Sequence, residues 1–88
     1  MITVQGDRLV VAGALTMLTV AGLIEDGRRA LAGGASTIDV SGATEVDSAT
    51  LALLLDWRRT ANKPLKIVGI SKGMASLTLL YGVQDLFG

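Results

Sequence analysis

Apolar residues change their spacing along the first third of the chain. Residues 2–5 and 8–13 are β-rich runs separated by Gly6-Asp7, a pair that suits the tight turn of a hairpin. A helical period follows and ends at Gly33-Gly34, because glycine readily takes the left-handed conformation found after helices. The apolar side of this predicted helix comprises Leu23, Ile24, Gly27, Ala30 and Leu31, and the opposite side comprises Glu25, Asp26, Arg28 and Arg29.

A second strand–helix pair comes next. Residues 36–42 alternate in polarity and predict a short strand. A loop over residues 41–50 leads from this strand into a helix over residues 48–61, which Asn62 and Pro64 stop. One face of the strand carries Ile38 and Val40, and the other carries Thr37 and Asp39.

The remaining residues repeat this arrangement. Residues 65–70 predict a strand, Ser71 caps a third helix over residues 72–82, and residues 83–88 close the chain. The shared face of the third helix carries Met74, Leu77 and Tyr81. The order β-β-α-β-α-β-α predicts one α/β domain over residues 1–88. Because the later strands are joined by crossovers, we expect a mixed sheet of about four strands with three helices packed on it.

Composition excludes several classes of protein. The formal net charge is zero, from 8 Lys+Arg and 8 Asp+Glu, so a basic surface for nucleic acid is not expected. The chain has no Cys and no His, which excludes thiol catalysis, a Ser-His-Asp triad and zinc sites built from these ligands. It also lacks a phosphate-binding glycine loop. We therefore expect a protein that has no catalytic residues, is not an enzyme and needs no cofactor.

Neither a metal site nor a membrane span is expected. Asp39, Glu45 and Asp47 could bind a hard cation, but without a calcium-loop pattern they are expected to be solvated or to cap a helix. The longest uncharged window, residues 9–24, is too short and too polar to span a bilayer. The N-terminus lacks the basic region of a signal peptide. These features favour a soluble, cytoplasmic protein.

The second predicted helix carries more apolar residues than one core can hold, since residues 51–55 read Leu-Ala-Leu-Leu-Leu. Successive residues lie about 100° apart around a helix, so these apolar residues point in several directions. The third helix can cover only one of the two flanks. We expect the other flank and a ridge of small residues to stay open as a partner interface. Leu51 and Leu54 point one way, Leu53 and Trp57 lie on one flank and Leu55 on the other, and the opposite side comprises Ser48, Ala49, Ala52, Asp56, Arg59 and Thr60.

Two residues of this helix have open alternatives. Trp57 lies at an edge, where tryptophan is either core or the centre of a binding hot spot. At the N-terminus, either Asp47 or Ser48 can cap the helix, which contributes about 1 kcal/mol. A phosphate on Ser48 would also be tolerated there, because free N–H groups and the helix dipole favour negative charge. Ser48 is therefore a candidate for phosphorylation and switching.

Residues 37–57, TIDVSGATEVDSATLALLLDW, closely resemble the STAS domain (sulfate transporter and anti-sigma factor antagonist). The short chain, the L-A-L-L-L helix and the ending TLLYGVQDLF are most similar to the MlaB-like group, the STAS subunits of bacterial phospholipid-transport (Mla) ABC systems. This resemblance implies a non-enzymatic accessory subunit that binds the MlaF-like ATPase subunit and supports its assembly and activity. It further implies a role in outer-membrane lipid asymmetry and a location at the inner membrane only through the transporter complex.

The resemblance also implies roles for single residues. Ser48 matches the Ser/Thr of the family's D-[ST] motif, which is phosphorylated in anti-sigma factor antagonists and contacts the ATPase in transport subunits. The implied partner-binding residues are Asp47, Ser48, Ala49, Ala52 and Leu55, with Asp56 and Arg59 at the rim. The alternative function is an anti-sigma factor antagonist whose Ser48 is phosphorylated by an anti-sigma factor kinase.

Two positions depart from the family pattern. Thr50 stands where relatives commonly have Gly, and we expect its β-branched side chain to narrow the close approach of a partner. Arg58 stands where relatives tend to be apolar, and we expect its stem to lie along the surface with the charge in water.

Overall fold

Four strands and three α-helices alternate in the computed structural model, which describes residues 1–61 and 63–82. A 3-10 turn, Val20–Gly22, precedes the first helix. The elements are β1 (Ile2–Gln5), β2 (Arg8–Leu15), α1 (Ile24–Ala32), β3 (Thr37–Val46), α2 (Ser48–Ala61), β4 (Lys66–Val68) and α3 (Lys72–Leu80). The predicted α/β class and the order β-β-α-β-α-β-α are confirmed.

The strands form one mixed sheet in the order β1-β2-β3-β4. β1 pairs with β2 in antiparallel register through a turn at Gly6, whose φ is +63°. The β2–β3 and β3–β4 pairs are parallel, because α1 and α2 return the chain to the same end of the sheet. The carboxyl ends of β2, β3 and β4 therefore lie at one edge, where α2 begins.

β3 is longer than the sequence predicts, because it continues through residues 41–46, which the sequence pattern reads as a loop. Its register against β2 is irregular in two places, and these bulges break the alternation of polarity that marks a strand. At the first bulge the Asp39 carboxylate accepts hydrogen bonds from the Ser41 N–H (2.9 Å) and hydroxyl (2.6 Å). At Gly42 a side chain would press on Ala12, its β-carbon lying 2.9 Å from that of Ala12.

β4 is shorter than the predicted strand over residues 65–70. Its end is set by Gly69, which has a φ of +78° and packs so closely on Ser41 that a β-carbon would lie 2.6 Å from that residue. Ser71 then caps α3 as predicted, its hydroxyl accepting the Met74 N–H at 3.2 Å. The predicted helix stop at Asn62 and the closing segment 83–88 fall outside the described residues.

The buried sides of the sheet and the helices form one core, with α1 and α2 in direct contact. Trp57 is completely buried, and its indole N–H donates to the carbonyl of Ile24 at 3.1 Å. Arg28, which the sequence pattern places on the outer side of α1, instead turns toward α2 and is only partly exposed. The core comprises Leu9, Val11, Leu15, Leu23, Leu31, Ala35, Ile38, Val40, Leu51, Leu53, Leu54, Trp57, Ile67 and Met74.

None of the helices in the described ranges combines the length and the apolar content that crossing a membrane requires.

Candidate docking surface on the second helix

Two side chains, those of Asp47 and Thr50, accept hydrogen bonds from free backbone N–H groups at the N-terminus of α2. The Asp47 carboxylate accepts the Ala49 N–H at 2.8 Å, and the Thr50 hydroxyl accepts the Asp47 N–H at 3.1 Å. This is the reciprocal arrangement of a capping box, with a carboxylate at the cap and a hydroxyl three residues later. Of the two alternatives that the sequence leaves open, Asp47 is the capping residue and Ser48 is not.

Thr50 is directed into the protein. It is completely buried, and its hydroxyl donates to the carbonyl of Leu15 at the end of β2. The expectation that Thr50 narrows the approach of a partner is therefore wrong, because its side chain faces the sheet. Glycine at this position would lack both hydrogen bonds of the hydroxyl.

Ser48 is left available at the surface. Its side chain is exposed, and its hydroxyl makes no hydrogen bond to any residue within 1–61 and 63–82. The nearby acids do not assemble into a cation site, since no three acidic side chains group together in those same ranges. The Asp47 carboxylate is occupied by the Ala49 and Met17 N–H groups, and the Asp39 carboxylate by Ser41 and Arg8.

Four residues form a continuous outer line along three turns of α2, and we call them the α2 stripe: Ser48, Ala52, Leu55 and Arg59. Their spacing of four, three and four residues places them within about 60° of one another around the helix. Ser48, Ala52 and Arg59 are exposed, whereas Leu55 is half-buried. Ala49, also predicted to bind the partner, is half-buried and lies on the side of the stripe that faces α1.

The two flanks of α2 are unequally covered, and the helix that covers one of them is α1, not the third helix as the sequence predicts. α1 covers the flank that carries Trp57, and this residue is therefore core and not a binding hot spot. α3 packs near Leu51, which is 4 % exposed, but Leu55 on the opposite flank is only half-buried and lines an apolar groove. What α2 leaves open is its outer side, the α2 stripe.

Asp56 lies at the α1 edge of the stripe and is held by an ion pair. Its carboxylate accepts the Arg28 Nη2–H at 2.7 Å and Nε–H at 3.1 Å, and Arg28 also pairs with Glu25 at 2.9 Å. The hydrogen bonds to Asp56, more than those to Glu25, raise the pKa of Arg28 above its usual range. The Asp56 carboxylate thus joins α1 to α2, and its contact with a partner stays a prediction.

An apolar groove of about 260 Å³ opens beside the stripe, between α2 and the end of α3. Its lining includes Tyr81, which is 56 % exposed, although the sequence pattern places Tyr81 on the same face of α3 as Met74, which is completely buried. The residues that share a face with Met74 continue past the end of α3 at Leu80, so the last of them, Tyr81, lies beyond the core. The groove is lined by Ser48, Leu51, Ala52, Leu55 and Tyr81.

The other end of the stripe is basic. Leu55 also lines a second, open depression of about 580 Å³ at the C-terminus of α2. Lys63 at its edge donates to the carbonyl of Leu31 at 3.2 Å, and Arg58, as expected, is exposed. The depression is lined by Leu55, Arg58, Arg59, Lys63 and Pro64. Along its length, α2 therefore presents a hydroxyl, an apolar groove and a group of cations.

A mixed sheet in which one strand leads through an Asp-Ser pair into a helix is the arrangement of the STAS fold, as the sequence resemblance implies. A family model described as "Mlab, STAS domain" matches residues 2–88. The chain belongs to this MlaB-like STAS family. Comparison with curated proteins gave no match.

Proposed function

We propose that this protein is a non-enzymatic accessory subunit of a phospholipid-transport ABC system. In this proposal the α2 stripe binds the cytoplasmic ATPase subunit and supports its assembly and activity, and through it outer-membrane lipid asymmetry. The protein is located at the inner membrane through that complex. Membership in the MlaB-like family supports the proposal.

The observation that carries the proposal is that Asp47 caps α2 while the neighbouring Ser48 stays exposed. Because the Asp47 carboxylate accepts the Ala49 N–H, the cap does not use the Ser48 hydroxyl, which stays exposed beside an apolar groove. A free hydroxyl next to small and apolar side chains suits the close packing and hydrogen bonding of a protein interface. Nucleophilic catalysis would require a general base within hydrogen-bond reach, and the Ser48 hydroxyl has no hydrogen-bond partner among residues 1–61 and 63–82.

The test is a binding titration with the purified ATPase subunit of the phospholipid transporter from the same organism. Ala52→Arg places an unpaired guanidinium against the apolar groove, and we expect it to weaken binding by about 100-fold or more. Ser48→Glu adds a charge at the same end of the stripe and is expected to weaken binding as well. Thermal unfolding of both variants should match the wild type, because Ser48 and Ala52 are exposed.

Ala32→Arg is the matched control. It makes the same change at an exposed alanine at the end of α1, away from α2. We expect its affinity for the ATPase subunit to equal that of the wild type. If both stripe variants bind as tightly as the wild type, the proposal is wrong.

The exposure of Ser48 also favours the second candidate function, an anti-sigma factor antagonist switched by phosphorylation. A kinase can reach this hydroxyl, and the α2 N-terminus favours the added negative charge. Incubation with ATP and an anti-sigma factor kinase encoded beside the gene, followed by mass spectrometry, should then show phosphate on Ser48. The Ser48→Ala variant should stay unmodified.

A further inference from the structure

Two adjacent apolar side chains project from the turn between β2 and α1, which we call loop 16–19. Met17 is 75 % exposed and Leu18 is 93 % exposed. Single exposed apolar residues are common on protein surfaces, but a neighbouring pair at this exposure contributes little to the core. The stability of the domain therefore does not explain why this loop carries them.

The loop is nevertheless firmly held. The Thr19 hydroxyl donates to the carbonyl of Ala14 at 2.7 Å and accepts the Thr16 N–H at 2.9 Å. The Thr16 hydroxyl accepts the Leu18 N–H at 3.3 Å, and the Thr19 N–H donates to the Thr16 carbonyl at 2.9 Å. Because the backbone is fixed in the free protein, binding through Met17 and Leu18 costs little conformational entropy in this loop.

One carboxylate fixes loop 16–19 relative to α2. Asp47 accepts the Met17 N–H at 3.2 Å through Oδ2, while its Oδ1 accepts the Ala49 N–H of the helix cap at 2.8 Å. Ser48, the first residue of the α2 stripe, directly follows Asp47. The exposed pair is thus held close to Ser48, at the end of the sheet where the α2 stripe begins.

We propose that Met17 and Leu18 are a second part of the docking surface and insert into an apolar pocket of the ATPase subunit that binds the α2 stripe. This inference rests on the proposed function. A protein pocket fits better than a membrane surface, because loops that bind anionic membranes combine apolar side chains with cations. Residues 9–24 contain no charged residue, and the neighbouring end of β3 and the residue after it add Glu45 and Asp47, which anionic headgroups repel.

The test is the double variant Met17→Ser/Leu18→Ser in the same titration with the purified ATPase subunit. Removing two apolar anchors from the interface is expected to weaken binding at least about tenfold. Thermal unfolding should be unchanged, because both side chains are exposed. Val4→Ser is the control: Val4 is 53 % exposed and pairs with Leu9 near the opposite end of β2, so its affinity should equal that of the wild type.

The outcomes separate this inference from the proposed function. If Ala52→Arg loses binding while the Met17→Ser/Leu18→Ser variant binds as the wild type does, the inference is overturned and the proposed function stands. If the wild type does not bind the ATPase subunit, the proposed function fails and the inference fails with it. Co-sedimentation of the wild type with phosphatidylglycerol–phosphatidylethanolamine vesicles, lost in the double variant, would overturn the inference in favour of a membrane contact.

Discussion

The Thr50 hydroxyl bonds to two backbone groups that lie far apart in the sequence. It accepts the N–H of Asp47 in the cap of α2 and donates to the carbonyl of Leu15 at the end of β2. It therefore joins the first turn of α2 to the edge of the sheet at which β2 ends. A buried polar group that loses its only partner costs more than a hydrogen bond contributes on average.

Thr50→Val should therefore destabilise the protein. Valine keeps the shape of the side chain but leaves the Leu15 carbonyl and the Asp47 N–H without this partner, so we expect a loss of roughly 1–3 kcal/mol in the free energy of unfolding. Urea unfolding followed by circular dichroism measures this difference. Thr60→Val makes the same change at an exposed position of α2 and should change stability by less than about 0.5 kcal/mol. Equal stability of the two variants would show that the Thr50 hydroxyl does not support the cap.

The residue types alone identified Asp47 and Ser48 as the start of a helix but did not show which of them caps it. An acid followed by a hydroxyl predicts a helix N-terminus, and α2 does begin at Ser48. Asp47 and Ser48 are both suitable caps by composition. The choice depends on Thr50 and Met17, whose positions follow from packing of α2 against β2.

At the scale of elements, the contact between α1 and α2 depends on the absence of a side chain at Gly27. The Trp57 ring packs directly over Gly27, where a β-carbon would overlap the indole, and Trp57 is completely buried. Glycine inside a helix costs about 1 kcal/mol relative to alanine. That cost is offset here by close packing of the two helices on the largest side chain of the core.

Gly27→Ala should destabilise the protein although alanine is the better helix former. The added methyl group forces Trp57 or α1 to shift, and we expect a loss of roughly 1–3 kcal/mol in the free energy of unfolding. Gly22→Ala is the matched control, because nothing lies within 4 Å of a β-carbon at Gly22. The control should be neutral or more stable by up to about 1 kcal/mol. Chemical unfolding followed by Trp57 fluorescence compares the two, and a stable Gly27→Ala protein would contradict the packing.

The bounds of α2 were predicted correctly, whereas those of β3 were not. α2 spans Ser48–Ala61 as predicted, because its period and capping residues are local features of the chain. β3 was predicted too short, since its two bulges interrupt the alternation that identifies a strand. Its continuation depends on pairing with β2, which no local pattern reports.

At the scale of the whole molecule, the stability of the fold at acid pH depends on Asp39, which lies in β3. Hydrogen bonds from the Ser41 hydroxyl and N–H, and then the charge of Arg8, hold the pKa of Asp39 below its ordinary value of 3.8. A carboxyl whose pKa is lowered in the folded state stabilises the protein above its unfolded-state pKa. That contribution is lost as the pH falls through the folded-state pKa.

Asp39→Asn should therefore be less stable than the wild type at pH 7, and the difference should shrink as the pH falls below about 4. Asparagine still accepts one hydrogen bond at the bulge but carries no charge for Ser41 and Arg8 to stabilise. Urea unfolding midpoints of both proteins from pH 7 to pH 2.5 measure the effect. A difference that stays constant over this range would show that the charge of Asp39 does not contribute.

The sequence by itself determined the order of the elements, the mixed sheet, the bounds of α2 and the Asp-Ser pair at its start. These follow from short-range period and residue type, and the same residues carry the family resemblance. The tertiary structure decided which side chains stay exposed. The Arg28–Asp56 pair, the Trp57–Ile24 hydrogen bond and the Thr50–Leu15 hydrogen bond join residues 28, 33 and 35 positions apart. Such contacts arise only when helices and strands pack, and this packing leaves the α2 stripe and loop 16–19 at the surface.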